Sequence, residues 1–204
     1  MFDADTARGP RAARRVSPRL TFGFLAAGLV AWALASTAPA SAHMRGQCRH
    51  ADTPIAGATH RQLDRAVVCL VNRQRRRFGL PRLRENWRLD HSAQHWTNFM
   101  VAHREFSHGS NFAGRITAAG FDWSSAGENI ATGFSTASSV VGAWMHSAGH
   151  CRNILSPTFR NVGVGVDSGG AARYIHGTWT EDFGLRSGAQ PPSNNSGPAD
   201  DCPE

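Results

Sequence analysis

Residues 144–155 of the chain read WMHSAGHCRNIL. In this segment Cys151 directly follows His150, an order that invites comparison with a histidine-activated thiolate. Adjacent side chains rarely point at each other, and no other nucleophile signature surrounds the pair, so a catalytic cysteine is not expected. The segment is therefore of interest for His150 as a site residue and for Cys151 as half of a disulfide.

The spacing of apolar residues around this segment predicts helices and a small sheet. Helices are expected at about 61–78, 88–104 and 111–119, and from residue 135 or 136 to 147. Strands are expected at 128–132, 160–166 and 173–183, the last two joined by a turn at Asp167-Ser168-Gly169-Gly170. Such a chain belongs to the α+β class, with helices flanking a small antiparallel sheet.

The charge of the chain is basic but unevenly distributed. Its 204 residues include 22 Lys+Arg against 15 Asp+Glu, a formal net charge of +7, and every basic residue is arginine. Five arginines lie within residues 1–19, ahead of an apolar run over 20–35 and the small residues Ala40-Ser41-Ala42. This order predicts a secretory signal peptide over residues 1–42. An uncleaved anchor is the alternative, although the run is shorter than a membrane-spanning helix needs.

Removal of the signal peptide lowers the net charge of the chain and weakens the case for a nucleic-acid partner. It takes five arginines and two aspartates away and leaves residues 43–204 with a net charge of +4. We therefore expect a secreted protein, extracellular or in the cell envelope, that is not an integral membrane protein after cleavage. No nucleic-acid-binding signature is present, so no nucleic-acid partner is expected. Serine-hydrolase motifs are also absent, and the lack of lysine rules out Ser-x-x-Lys.

The remaining basicity is concentrated between Arg73 and Arg88. The seven arginines of this segment are Arg73, Arg75, Arg76, Arg77, Arg82, Arg84 and Arg88. Such a patch can meet anionic envelope polymers or lipid headgroups. The alternative is a solvated helix end and loop without a partner.

Four cysteines in an exported chain favour disulfides over free thiols. Three pairings are open, and we expect Cys69–Cys151 inside the domain and Cys48–Cys202 between its flanks. Residues 43–60 are interpreted as an N-terminal linker tethered by Cys48, and residues 185–204 as a flexible C-terminal tail.

Five motifs in one order carry a family resemblance. They are Phe106-Ser107-His108, Gly127-Glu128-Asn129, the 144–155 segment, Val162-Gly163-Val164-Gly165 and Trp179-Thr180-Glu181-Asp182-Phe183-Gly184. Together they resemble the CAP superfamily of cysteine-rich secretory, antigen 5 and pathogenesis-related-1 proteins, in its bacterial secreted branch. The resemblance covers about residues 61–184 and implies an α-β-α sandwich with an open cleft.

The resemblance also implies a set of cleft residues. His108 matches the first histidine of the family, Glu128 the first acid and His150 the second histidine. Ser147 stands where animal members carry a second acid, and Glu181 stands where bacterial relatives usually show glutamine. We expect His108, Glu128, Ser147 and His150 to line the cleft.

Three chemistries remain open for these residues. His108 and His150 can hold a divalent metal such as zinc, with water completing the shell. Glu128 is the candidate for general acid–base work. In a purely structural role, the three side chains hydrogen-bond one another and fix the loops of the cleft wall. Trp96, Trp144 and Trp179 are expected in the core.

The sequence thus predicts a secreted, non-enzymatic CAP-domain module, expected to be a monomer, that binds a ligand or a metal in a His-Glu-His cleft. Its partner is a small molecule, a lipid or an envelope component. One alternative is a metal-dependent hydrolase of the cell envelope. The other is an envelope-interaction module that uses the Arg73–Arg88 patch.

Overall fold

The computed structural model describes residues 47–174, residues 176–190 and Cys202. The predicted signal peptide and most of the predicted tail lie outside these residues. Within the described ranges, no helix combines the length and the apolar character that crossing a membrane requires.

The described part of the chain contains five α-helices and four strands. In chain order they are α1 (His60–Arg77), β1 (Arg84–Glu85), α2 (Trp87–His103), α3 (Phe112–Ala118), β2 (Trp123–Thr132), α4 (Ala137–Met145), α5 (Ala148–Ile154), β3 (Asn161–Gly169) and β4 (His176–Arg186). The strands form one sheet in the order β1-β3-β4-β2. The β3–β4 and β2–β4 pairs are antiparallel, whereas β1 pairs parallel with β3. The α+β class is confirmed, and the sheet is mixed because of the short strand β1.

Helices cover both faces of the sheet. Helix α2 lies so close to β3 that a Cβ at Gly163 would come 2.1 Å from the Leu89 carbonyl carbon, and one at Gly165 2.4 Å from that of Ala93. Val162, Val164 and Val166, which alternate with these glycines, project to the other face, where they share a core with residues of α1, α4 and α5. The Val-Gly-Val-Gly pattern therefore sets the thickness of the sandwich on the α2 side.

Helix α1 begins as its sequence indicates. Thr59 caps it and pairs with Gln62 in a reciprocal capping box, which satisfies two free backbone donors. Ahead of this cap, residues interpreted as linker pack on the domain: Ala51 and Ile55 are buried, and Ile55 N donates to Ser135 O at 2.9 Å. The described part of this segment packs on the domain because Ile55 enters the main core.

Several element boundaries differ from expectation: β1 was not predicted, β2 begins at Trp123 rather than at residue 128, and β4 spans His176–Arg186 rather than 173–183. The helix expected to reach residue 147 ends at Met145, and a separate helix, α5, begins at Ala148. The turn expected at 167–170 lies later, because β3 continues through Gly169 and Asp167 Oδ1 accepts from the Gly169 amide at 2.6 Å. The chain reverses beyond Gly170, where Ala172 adopts φ +52°.

The expected disulfide pairing is wrong. The bonds are Cys48–Cys69 and Cys151–Cys202, and there are no free cysteines among the described residues. Each flank of the domain bonds to the helix beside it, α1 on the amino side and α5 on the carboxyl side, so the flanks are not joined to each other. Cys151 is consequently unavailable as a nucleophile.

Arg75 does not belong to the exposed basic patch. It is fully buried and donates to the carbonyl oxygens of Pro81, Ile154, Ser156 and Phe159 at 2.8–3.4 Å. Burial lowers its pKa to about 10, with a contribution from nearby Arg160, so the guanidinium stays charged at neutral pH. Arg75 joins the end of α1 to the chain that follows α5.

Candidate functional site

Glu128 lies at the centre of the site. Strand β2 carries it at a buried position, with 1% of its side chain exposed. One carboxylate oxygen is 2.8 Å from His108 Nδ1, and the other accepts from an Arg115 Nη at 2.6 Å. The burial cost of this carboxylate is offset by a cation and by two hydrogen bonds.

His108 is presented by a loop that two side chains hold in place. The Trp96 indole N–H donates to Ser107 O at 3.0 Å, and Arg115 donates to His108 O at 3.0 Å. Half of the His108 side chain is exposed. Because Nδ1 faces Glu128, Nε2 is the ring nitrogen available to solvent or to a ligand.

Arg115 is a site residue that the sequence interpretation missed. It comes from α3 and lies between Glu128 and the face of Trp96, with its guanidinium carbon 3.7 Å from the ring centroid. The local signal was available, because Arg115 is the single charged residue of the predicted 111–119 helix. Its partner was not visible, since Glu128 becomes a neighbour only through the sheet.

Asp182 is the second missed residue. It lies opposite Glu128 in the β2–β4 register and is 1% exposed. Neither carboxyl oxygen has a hydrogen-bond partner of ordinary geometry among the described residues, although Ser92 and Glu128 are neighbours. Burial raises the pKa of Asp182 well above its usual value, and the charge of Glu128 raises it further. Asp182 therefore holds its proton to a higher pH than an exposed aspartate does.

His150 and Ser147 form a separate pair at the start of α5. His150 Nδ1 is 2.9 Å from Ser147 Oγ, and His150 O accepts from Asn129 at 3.3 Å. Burial lowers the pKa of His150, and nearby His108 lowers it further, so the imidazole is neutral at neutral pH. His108 and His150 are thus neighbours in the site, but His150 does not hydrogen-bond to Glu128.

Amide side chains join the two halves of the site. Asn153 donates to Glu128 O at 3.1 Å and to Asn129 Oδ1 at 2.9 Å, which ties α5 to β2. Asn129 also donates to Glu181 Oε2 at 3.2 Å on the face of the sheet away from Glu128. Burial raises the pKa of Glu181 to about 8, so this acid is mostly protonated at neutral pH. In that state it is uncharged, as a glutamine at this position would be.

A pocket of about 270 Å³ lies beside His150. Most of its lining is apolar or aromatic, with a polar edge at His150 and Ser147. The lining residues include Phe106, Ile130, Phe134, Ala143, Trp144 and Tyr174. Trp144 is also part of the core, as expected, together with Trp96 and Trp179.

These residues do not fit a protein-bound zinc centre. No group of three His, Cys, Asp or Glu side chains within the described ranges is placed to share one ion. Glu128 already binds His108 and Arg115, so a metal would have to displace a guanidinium to reach it. His108 and His150 by themselves provide fewer ligands than zinc sites in proteins normally use.

Several known proteins resemble this chain. The uncharacterized protein YkwD of Bacillus subtilis is 34% identical over 153 residues, which are 73% of this chain and 55% of that protein. The uncharacterized membrane protein YlbC of the same organism is 30% identical over 108 residues, which are 51% of this chain and 31% of that protein. The chain thus spans about half or less of the length of these relatives.

Solved structures share the fold. An extracellular protein containing an SCP domain from Bacillus anthracis superposes with a TM-score of 0.55 at 25% identity, covering 62% of this chain and 41% of that one. An outer surface protein of Borrelia burgdorferi superposes with a TM-score of 0.52 at 20% identity, covering 59% of this chain and 90% of that one. The extracellular Bacillus anthracis protein, together with the two disulfides of this chain, supports the predicted extracellular localisation.

The family of this chain is established by the length of sequence that a family model matches, as well as by the fold. The model of the cysteine-rich secretory protein family, CAP, matches residues 68–183, which is more than half of the chain. Those residues include His108, Glu128, Ser147 and His150. This chain therefore belongs to the cysteine-rich secretory protein (CAP) family.

Proposed function

We propose that this protein is a non-enzymatic binding module of the cell exterior. The observation that supports this most directly is the state of Glu128, whose two oxygens are held by His108 and Arg115. A general base needs an oxygen within hydrogen-bond reach of its substrate. Here the carboxylate acts instead as an anchor for the loop of His108 and for α3.

The pocket beside His150 is the proposed ligand site. Its volume of about 270 Å³ suits a small molecule or the end of a larger one. The aromatic lining favours an apolar body, and the neutral His150 and Ser147 favour one polar group at its edge. The expected ligand is therefore a small amphipathic molecule.

A binding experiment on the exported protein tests this proposal. The probe is 1-anilinonaphthalene-8-sulfonate, which combines an aromatic body with one anionic group, and its fluorescence is titrated. We expect saturable binding that Ala143→Phe abolishes, because Ala143 lines the pocket. Ala102→Phe is the matched control, since Ala102 is an exposed residue of α2. Equal binding by both variants would refute the pocket as the site.

The hydrolase alternative makes a different prediction. It requires Glu128 to leave one of its partners and act on a substrate. Activity of the exported protein on cell-wall peptidoglycan is measured for the wild type and for Glu128→Gln, with circular dichroism to show that the fold survives. Turnover by the wild type that Glu128→Gln abolishes would overturn the non-enzymatic assignment.

A further inference from the structure

The part of the molecule around the end of α1 and the start of α2 forms a basic surface separate from the candidate site. Asn72 and Leu83 exchange two hydrogen bonds of 3.1 and 2.7 Å, and Arg75 donates to Pro81 at 2.9 Å. These contacts fold residues 78–83 back on the last turn of α1. The arginines on both sides of the loop are thereby held at one end of the domain.

Six arginines of this surface carry unneutralised charge. They are Arg73, Arg76, Arg77, Arg82, Arg84 and Arg88, all exposed or half-buried. The ion pairs within the described ranges involve other residues, His108, Arg115 and Glu128. The segment from Arg73 to Arg88 contains a single acid, Glu85. Six guanidinium groups without carboxylate partners are free to meet an external anionic surface.

Trp87 belongs to the same segment, following Arg84 in the sequence and directly preceding Arg88 at the start of α2. It is 64% exposed, the largest value among the exposed large hydrophobic side chains of the described residues. The guanidinium of Arg88 packs over its ring, 4.4 Å from the centroid. Indole rings are favoured at the boundary between lipid headgroups and acyl chains, because one part of the ring is apolar and its N–H is polar.

The nearest acids offset part of the charge of this surface, because burial raises the pKa of Asp90 only to about 6 and leaves it mostly ionised at neutral pH. Asp64 and Asp90 lie close to Glu85. Burial raises the pKa of Asp64 to about 8, and the charges of Asp90 and Glu85 raise it further, so Asp64 is mostly uncharged at neutral pH. The surface is also distinct from the ligand pocket, since neither Trp87 nor any of the six arginines lines that pocket.

We propose that Trp87 and the six arginines of residues 73–88, together called the Trp87 surface, dock this protein on a membrane rich in anionic phospholipid. Trp87 enters the headgroup layer while the arginines bind the phosphates. The exposed indole is what favours a lipid surface over a soluble anionic polymer, which offers no apolar layer for the ring.

The test measures sedimentation of the exported protein with vesicles. One set contains equal parts phosphatidylglycerol and phosphatidylcholine, and the other contains phosphatidylcholine alone. We expect binding to the anionic set only. Replacing Arg76, Arg82 and Arg84 with glutamine lowers the partition coefficient by about fivefold per residue, or about a hundredfold together. Trp87→Ala lowers it by about tenfold.

A charge-matched variant separates this surface from net charge. Arg49, Arg152 and Arg173 are exposed and lie outside the segment, so replacing them with glutamine removes the same charge elsewhere. We expect vesicle binding close to that of the wild type. Equal losses in the two triple variants would overturn the proposal, as would binding to phosphatidylcholine alone that neither variant alters.

Trp87→Phe supplies the spectroscopic control. Subtracting its emission from that of the wild type isolates Trp87, which we expect to shift to shorter wavelength on anionic vesicles. If Trp87→Ala binds vesicles like the wild type while a soluble anionic polysaccharide displaces the protein, the surface binds polymers and the lipid assignment is wrong. Unchanged thermal midpoints establish that the variants are folded.

Discussion

Glu128 and Asp182 lie directly opposite each other on β2 and β4, and both carboxyl groups are buried. Glu128 is held by His108 and Arg115, so its charge is neutralised, and Asp182 remains as the acid without a cation of its own. Burial and the charge of Glu128 therefore raise the pKa of Asp182, because two adjacent buried carboxylates repel each other.

The variant Asp182→Asn is expected to be more stable than the wild type at neutral pH. The folded protein keeps the Asp182 proton to a higher pH than the unfolded chain, whose aspartate titrates near 3.8. Stability of the wild type therefore falls relative to the variant as pH rises above that value, by about 1.4 kcal/mol per pH unit. Urea unfolding across pH measures this difference. Asp122→Asn, at an exposed position, is the control, and parallel profiles for wild type and Asp182→Asn would contradict the prediction.

Glu181→Gln tests the acid on the other face of β4. Because the pKa of Glu181 is raised from 4.5 to about 8 by burial, the folded state binds a proton that the unfolded chain has released. Wild-type stability therefore decreases between these two pH values relative to the variant and levels off above them. Thermal midpoints by circular dichroism provide the measurement. Glu105→Gln serves as the exposed control, and a difference that is independent of pH would count against the protonated state.

Arg75→Met is expected to destabilise the protein by about 3 to 5 kcal/mol. Four backbone carbonyls lose their donor: one follows α1, one is at the last residue of α5 and two follow α5. The neighbouring exposed variant Arg76→Met is expected to change the free energy of unfolding by less than about 0.5 kcal/mol. Guanidinium denaturation compares the two. Similar losses in both would indicate that Arg75 has no special structural role.

Peptide mapping without reduction is expected to recover Cys48 linked to Cys69 and Cys151 linked to Cys202. Replacing each pair with serine should cost about 3 kcal/mol for the first bond and about 4 kcal/mol for the second, because the second closes the longer loop. The sequence separations are 21 and 51 residues. A peptide joining Cys69 to Cys151 would contradict the structure.

Zinc is expected to leave the thermal midpoint of the protein unchanged. If the folded protein had a zinc site, zinc at a hundred times the dissociation constant of that site would add about 2.7 kcal/mol of stability. The described residues offer no three-ligand group to provide such a site. Differential scanning calorimetry with and without zinc measures the effect. A rise in the midpoint that disappears in both His108→Ala and His150→Ala would show that the two histidines bind metal.

The long helices and the motif residues could be predicted from the sequence, whereas the residues that contact Glu128 in the site could not. Helices α1 and α2 follow from apolar spacing, and the structure confirms them within about a residue at each end. Helix α5 was missed because seven residues with two buried side chains are too short for a periodic pattern. Arg115 and Asp182 meet Glu128 only through the folding of α3 and the pairing of strands.

The burial of Arg75 could have been predicted from its spacing along α1, but the charges around it favoured a surface position. Arg75 follows Leu63, Val67 and Val71 at intervals of four residues, so it continues the buried stripe of α1. The surrounding arginines favoured an interpretation as surface. For Glu181 and Asp182, the alternation of side chains along β4 predicts that they lie on opposite faces of the sheet. Only the strand order shows that β4 has a neighbouring strand on each side.

The two disulfide rings follow one another along the chain, and neither encloses the other. A polypeptide that leaves the cell amino end first exposes Cys48 and Cys69 before Cys151 emerges, so the first native bond can close while the rest is still in transit. The second ring then closes between the last two thiols. Oxidation in the order of emergence therefore gives the native pairing without any exchange between bonds, whereas a Cys48–Cys202 bond would have had to wait for the whole chain.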